Sequence, residues 1–134
     1  MPELPEVETI KNELQPHIVG HCVTGITLFW EGIVRQPSVE EFRSRLLGQK
    51  ITGVIRRGKY LILSLTSGKA LVIHLKMTGS LLLKSDSAEP DKYIRAIIYL
   101  DKEIGLYFRD PRKLGVMWLV EDTNSIIGKL GPEP

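Results

Sequence analysis

The segment Tyr60-Leu61-Ile62-Leu63 carries no charged side chain on either alternation, so a strand built from it has no face to offer water. Such a strand must be covered from both sides, which requires a layered β structure rather than a sheet with one wet face. The same β-branched and aromatic patterning recurs between turn signals. It predicts strands over residues 21–29, 51–56, 60–65, 70–75, 80–83, 93–100, 106–109 and 116–120, with Thr66-Ser67-Gly68-Lys69 as a hairpin turn. Val7, Ile10 and Leu14 fall at helical spacing behind Pro5, which predicts a helix over 5–15. Ser38-Val39-Glu40-Glu41 is a capping box ahead of Phe42, Leu46 and Leu47, and Gly48 stands where such a helix stops. The expected fold is mainly β: an antiparallel sandwich of about eight strands with two or more flanking helices.

One domain accommodates all of this, since 134 residues suffice for a single core. With 43% hydrophobic and 25% charged residues, the chain is outside the disordered and fibrous classes. Cys22 is the single cysteine, so no internal disulfide and no thiolate metal site of the chain's own can form, which favours the cytosol. No apolar run reaches the roughly 18 residues of a membrane-spanning helix. Residues 85–91 read as a surface loop. Residues 128–134 have linker chemistry, and the expectation is a chain that stops at a domain boundary.

The formal net charge of +2 conceals a strong asymmetry. Residues 42–85 contain nine bases and no acid, whereas residues 1–41 contain seven acids and two bases. A stretch of that kind favours phosphate partners unless acids fold in from elsewhere to neutralise it.

Removal of Met1 would expose Pro2 as a secondary amine, the amine type that condenses directly to a cationic iminium. The positive end of the first helix disfavours its protonated form, and Glu3 and Glu6 stand nearby as acids. Surface glutamates and a Met-Pro start are common, so these residues alone do not establish catalysis.

Longer motifs narrow the choice. Met1-Pro2-Glu3-Leu4-Pro5-Glu6-Val7-Glu8-Thr9 resembles the start of the formamidopyrimidine-DNA glycosylases, bacterial enzymes that remove oxidised purines. Arg56-Arg57-Gly58-Lys59-Tyr60-Leu61, His74-Leu75-Lys76-Met77-Thr78-Gly79, Lys92-Tyr93-Ile94-Arg95, Asp110-Pro111-Arg112-Lys113-Leu114-Gly115 and Leu130-Gly131-Pro132-Glu133-Pro134 resemble further motifs of that family, in its order. The related endonuclease VIII branch begins differently, and Leu4 favours the formamidopyrimidine branch.

The resemblance implies specific roles. Pro2 would be the nucleophile that forms a Schiff base with the damaged nucleotide. Glu3 would protonate the sugar ring oxygen, Lys59 would assist the strand-cutting elimination, and Glu6 would line the same pocket. The target base leaves the stack, and Met77, Arg112 and Leu114 would fill the void. Lys59, His74, Tyr93 and Arg112 would contact DNA. The partners implied are duplex DNA carrying oxidised purines or abasic sites, and the family's own C-terminal domain, in a bacterial, nucleoid-associated cytoplasmic setting with no membrane. Residues 1–134 would form the N-terminal catalytic β-sandwich domain, with the interdomain linker starting at about 128–134. No metal or cofactor is expected in this chain: the family's zinc belongs to the helical and zinc-finger domain, which is absent, and the fragment alone is expected to be inactive.

The chain departs from the family pattern at Leu114, where the family usually carries Phe, and at Lys76, where it usually carries Gly. Two other readings fit parts of the sequence. One is a tautomerase using Pro2 as a general base, which needs an oligomer of short βαβ units; the other is a non-catalytic nucleic-acid-binding β module, supported by the basic stretch.

Overall fold

The computed structural model describes residues 4–121. They form two β-sheets with two helices: α1 (Leu4–Ile18), β1 (Val23–Leu28), β2 (Val34–Gln36), α2 (Val39–Leu46), β3 (Ile51–Arg57), β4 (Tyr60–Leu65), β5 (Ala70–His74), β6 (Ser80–Ser85), β7 (Ile94–Leu100), β8 (Ile104–Arg109) and β9 (Val116–Val120). One sheet has the order β1-β7-β8-β6 and the other β2-β9-β5-β4-β3.

The expectation of a two-layer β structure is met, and the reason is visible strand by strand. On β4, Leu61, Leu63 and Leu65 enter the main core while Ile62 joins a second apolar cluster with Val72, Val120 and Trp118. Strand β5 divides likewise, with Leu71 and Ile73 in the main core and Ala70 and Val72 in the second cluster. Ala96, Ile98, Leu106 and Phe108 of the other sheet join the main core, as do Val7, Leu14 and Ile18 of α1 and Phe42 and Leu46 of α2.

The described residues form nine strands, in keeping with the expected sandwich of about eight; the unforeseen one is Val34–Gln36, a short β2 that pairs in parallel with β9, while the other strand pairs are antiparallel. Some boundaries differ from expectation. The first helix does not stop at residue 15: it continues through Pro16 to Ile18, which is fully buried. Proline there removes one hydrogen bond near the helix end, and burial of Ile18 outweighs it. Leu75 and Tyr93 lie just outside β5 and β7, β6 runs on to Ser85, and β8 begins at Ile104. The second helix starts as its capping box predicts, with Ser38 Oγ accepting from the Glu41 N–H at 3.2 Å. A two-sheet sandwich has none of the repeated βαβ units that the tautomerase reading requires.

Strand register decides which loops share a rim. Tyr60 at the start of β4 pairs with His74 at the end of β5, and His74 pairs with Val116 at the start of β9. In the other sheet Arg109 at the end of β8 pairs with both Ser80 and Ile94, the first residues of β6 and β7. The 75–79 and 110–115 connections therefore cross between sheets at one end of the sandwich. Helix α1 packs along β3 and β4. Its C-terminal end meets the start of β3, where Gly20 N–H donates to Ile51 O at 2.8 Å, while Glu8 meets Arg56 near the end of β3. The helix thus runs against β3 and brings its N-terminal turn to that same rim.

Candidate active site and nucleic-acid interface

The β3–β4 hairpin closes on Gly58 and Lys59, and Gly58 has φ +60°, a left-handed conformation without cost for a residue lacking Cβ. Arg56 fixes this turn to the first helix. Its Nε donates to Glu8 Oε1 at 3.1 Å and its Nη1 to Gly58 O at 2.9 Å, and Lys11 Nζ holds the other Glu8 oxygen at 3.1 Å. Arg56 and then Lys11 hold the Glu8 carboxyl below the usual carboxylate range. Glu6 is exposed on the first turns of α1. Pro2 and Glu3 lie outside the described residues, as do residues 128–134.

His74 stands beside Lys59 on the rim. Its ring meets the Tyr60 ring edge-on, with centroids 4.8 Å apart. Burial, and then the charges of Lys76 and Lys59, depress its pKa to about 4. The ring is therefore neutral near pH 7. Its Nδ1 accepts the Lys76 N–H at 2.9 Å, which leaves the proton on Nε2 as a donor.

Met77 follows on the 75–79 turn, 51% exposed, and Leu114 on the neighbouring loop is 36% exposed, so both leave apolar surface outside the core. One residue joins these loops. Asp110 is the buried charged residue among the described ones, 1% exposed. Oδ1 accepts from the Thr78 hydroxyl and from Arg112 N–H at 3.2 Å; Oδ2 accepts from Leu114 N–H at 2.9 Å and Gly115 N–H at 2.6 Å. A carboxylate satisfied by four donors makes a stable turn of a loop that leaves the Arg112 and Leu114 side chains exposed.

Tyr93 lies on the other side of Asp110, whose N–H donates to Tyr93 O at 2.9 Å. Arg109, Lys92 and Arg95 surround its ring at 4.9, 5.1 and 6.0 Å from the centroid. Arg95 also donates to Asp110 O at 2.7 Å and Pro111 O at 3.1 Å, fixing the base of the 110–115 loop. The basic stretch is partly neutralised by acids from elsewhere: Glu41 pairs with Arg45, Glu8 with Arg56 and Glu121 with Lys69. Its rim members Lys59 and Lys76 nonetheless join Arg112 and the cations around Tyr93 on one end of the fold.

The structure thus brings together Lys59, His74, Met77, Tyr93, Arg112 and Leu114. Residue-level reading gave no role to Asp110, Thr78, Arg56 or Arg95. A carboxylate followed by Pro111 in a short polar loop was the available signal for Asp110; the others act through partners distant in sequence. Among the described residues no three His, Cys, Asp or Glu side chains converge, so they offer no ligand set that fits zinc. No helix among them is long and apolar enough to cross a membrane.

A two-sheet sandwich that gathers cations and two exposed apolar side chains on paired loops at one rim has the character of a nucleic-acid-handling domain. Residues 1–117 match the formamidopyrimidine-DNA glycosylase N-terminal domain. The formamidopyrimidine-DNA glycosylase of Pelotomaculum thermopropionicum is 38% identical over 139 residues, covering all of this chain and 50% of the relative. A structure of MutM with DNA containing carbocyclic 8-oxo-G superposes with TM-score 0.89 at 33% identity, covering 96% of this chain and 48% of that one. The Lactococcus lactis enzyme bound non-covalently to DNA containing an abasic site gives TM-score 0.87 at 32% identity, again over 96% and 48%. The chain belongs to the formamidopyrimidine-DNA glycosylase (Fpg, MutM) family, as its N-terminal domain, and spans about half the length of the relatives it matches.

Proposed function

We propose that this chain is the nucleophile-bearing half of a bifunctional DNA glycosylase and abasic-site lyase acting in bacterial base-excision repair. Its target is duplex DNA carrying oxidised purines, in the cytoplasm at the nucleoid, and it works with a C-terminal half that holds the family's zinc. After Met1 is removed, the Pro2 nitrogen attacks C1′ of the extruded nucleotide, and the bond to the damaged base breaks. Glu3 gives a proton to the ring oxygen as the sugar opens, and the nitrogen lone pair forms the iminium. Loss of a proton from the adjacent carbon then expels the 3′ phosphate, with Lys59 assisting. Met77, Arg112 and Leu114 occupy the vacated stack, and His74 and Tyr93 contact the strand.

The observation that carries this reading is the Arg56 bridge. It holds Glu8 of the first helix, five residues after Glu3 and six after Pro2, to the turn that presents Lys59. The same rim bears Met77 and Leu114. Glu6, exposed on the first turns of α1, completes the acidic groups of the site in this reading.

The test joins this chain at Pro134 to the C-terminal half of a family relative and treats it with abasic duplex and borohydride. The expected result is a covalent adduct on Pro2 in the Met1-processed protein, and none with Met1 retained, because Pro2 is then an amide whose lone pair is delocalised. The unjoined chain gives no adduct. Strand cleavage with no adduct on Pro2 overturns the mechanism; duplex binding with neither cleavage nor adduct favours the non-catalytic module.

A further inference from the structure

Lys76 has φ +57°, a conformation that glycine adopts freely and that a lysine adopts against its Cβ. Nothing in the packing asks for a lysine there. The side chain is exposed, and among the described residues no carboxylate pairs with it. The rim carboxylate Asp110 is buried and already holds four donors. The backbone of Lys76 does have a task. Its N–H occupies His74 Nδ1 at 2.9 Å and so commits the imidazole to donating from Nε2.

We propose that Lys76 and His74 form a binding pair for a DNA backbone phosphate: the imidazole Nε2–H donates to a phosphate oxygen while the Lys76 ammonium supplies the charge. This rests on the DNA-repair reading above and deepens it by adding a residue where the family resemblance leads one to expect glycine. The chemistry is complementary. A neutral imidazole gives direction without much attraction, and a flexible ammonium gives attraction without direction. Lys59 raises the local potential further, since it and Lys76 both act on the His74 ring. The position beside Met77 puts the pair next to the apolar side chain that enters the stack, where a strand kinked around a vacated base needs its phosphate held.

The experiment compares wild type, Lys76→Gly and Lys76→Arg. Fluorescence anisotropy measures binding of an abasic-analogue duplex across salt concentrations, and imidazole nitrogen NMR follows His74 during titration with inorganic phosphate. Lys76→Gly is expected to weaken duplex binding about three- to tenfold at low salt and to lower the log–log salt slope by about one. Lys76→Arg should keep the wild-type slope. The thermal midpoint of Lys76→Gly should not fall, because glycine fits the backbone, so lost binding will not reflect lost folding. Phosphate should move the His74 Nε2 signal in wild type and much less in Lys76→Gly. Equal slopes in a wild type and a Lys76→Gly that both bind duplex overturn the pair and leave the proposed function intact. A wild type joined to the same C-terminal half as above that binds no duplex overturns both. A His74 signal that answers to inorganic phosphate but not to duplex makes the occupant a free anion and also overturns the proposal.

Discussion

The hydroxyl of Thr78 donates to Asp110 Oδ1, and through that bond the loop bearing Met77 is held to the loop bearing Arg112 and Leu114. The two residues are 32 apart in sequence and belong to connections that leave different strands, so the bond fixes a distance that neither loop sets alone. Removing the carboxylate leaves Arg112, Leu114 and Gly115 N–H groups and the Thr78 hydroxyl without their acceptor. Asp110→Ala should therefore cost about 3–5 kcal/mol, whereas Thr78→Val, which deletes one of four donors, should cost about 1 kcal/mol. Urea unfolding of both variants measures the difference; equal losses would show that the loop–loop bond, not the whole acceptor set, dominates.

Acid should destabilise the fold through His74. Its pKa is about 4 in the folded chain, against an ordinary 6.5, so the unfolded state binds the proton more readily between those values. Stability from this group is complete above pH 6.5 and is lost as pH falls toward about 4. Water screens a half-buried ring in part, so the loss should be about 1–2 kcal/mol. Unfolding free energies near pH 7 and pH 5 should differ less in His74→Gln than in wild type. An NMR titration should show no imidazolium at His74 above about pH 5.

Gly79 and Gly53 should respond oppositely to alanine. A Cβ at Gly79 would lie 2.6 Å from the Leu75 carbonyl oxygen, which is backbone and cannot swing aside. Around Gly53, in β3, a Cβ meets nothing within 4 Å. Gly79→Ala should cost about 2 kcal/mol or more and disturb the turn that carries Met77, and Gly53→Ala should be neutral or gain up to about 1 kcal/mol. Denaturation midpoints of the two variants settle the comparison.

Leu114→Phe should tighten binding to a duplex with an abasic site about three- to tenfold, since a ring adds stacking on the neighbouring base pair that an aliphatic side chain lacks. Leu114 is 36% exposed and its N–H is held by Asp110, so the larger side chain can extend toward solvent while the loop backbone stays fixed. Stability should stay within about 0.5 kcal/mol of wild type. An unchanged affinity with an unchanged midpoint would show that residue 114 does not reach the stack.

Local chemistry determined much of this protein from sequence alone. The two-sided apolar pattern of residues 60–65 required a layered β structure, the Thr66–Lys69 turn joined β4 to β5, and Ser38 began α2 as its capping box predicted. Each depends on interactions within a few residues, so the information is contiguous. The motif order that resembles the glycosylase family likewise singled out Lys59, His74, Met77, Tyr93, Arg112 and Leu114 before any contact was known.

Only tertiary structure decided the rest. Three-residue β2 has too little pattern to be read as a strand, and it exists because β9, more than 80 positions on, supplies a parallel partner. Helix α1 passes Pro16 because a core formed by distant strands has room for Ile18. Arg56 reads as one base in an acid-free stretch until α1 turns Glu8 toward it, and Asp110 reads as a loop acid until strand registers bring Thr78 beneath it. A hydrogen bond between residues tens of positions apart depends on the register of every strand between them, and register is set when both sheets close on their shared core rather than by any local run of residues.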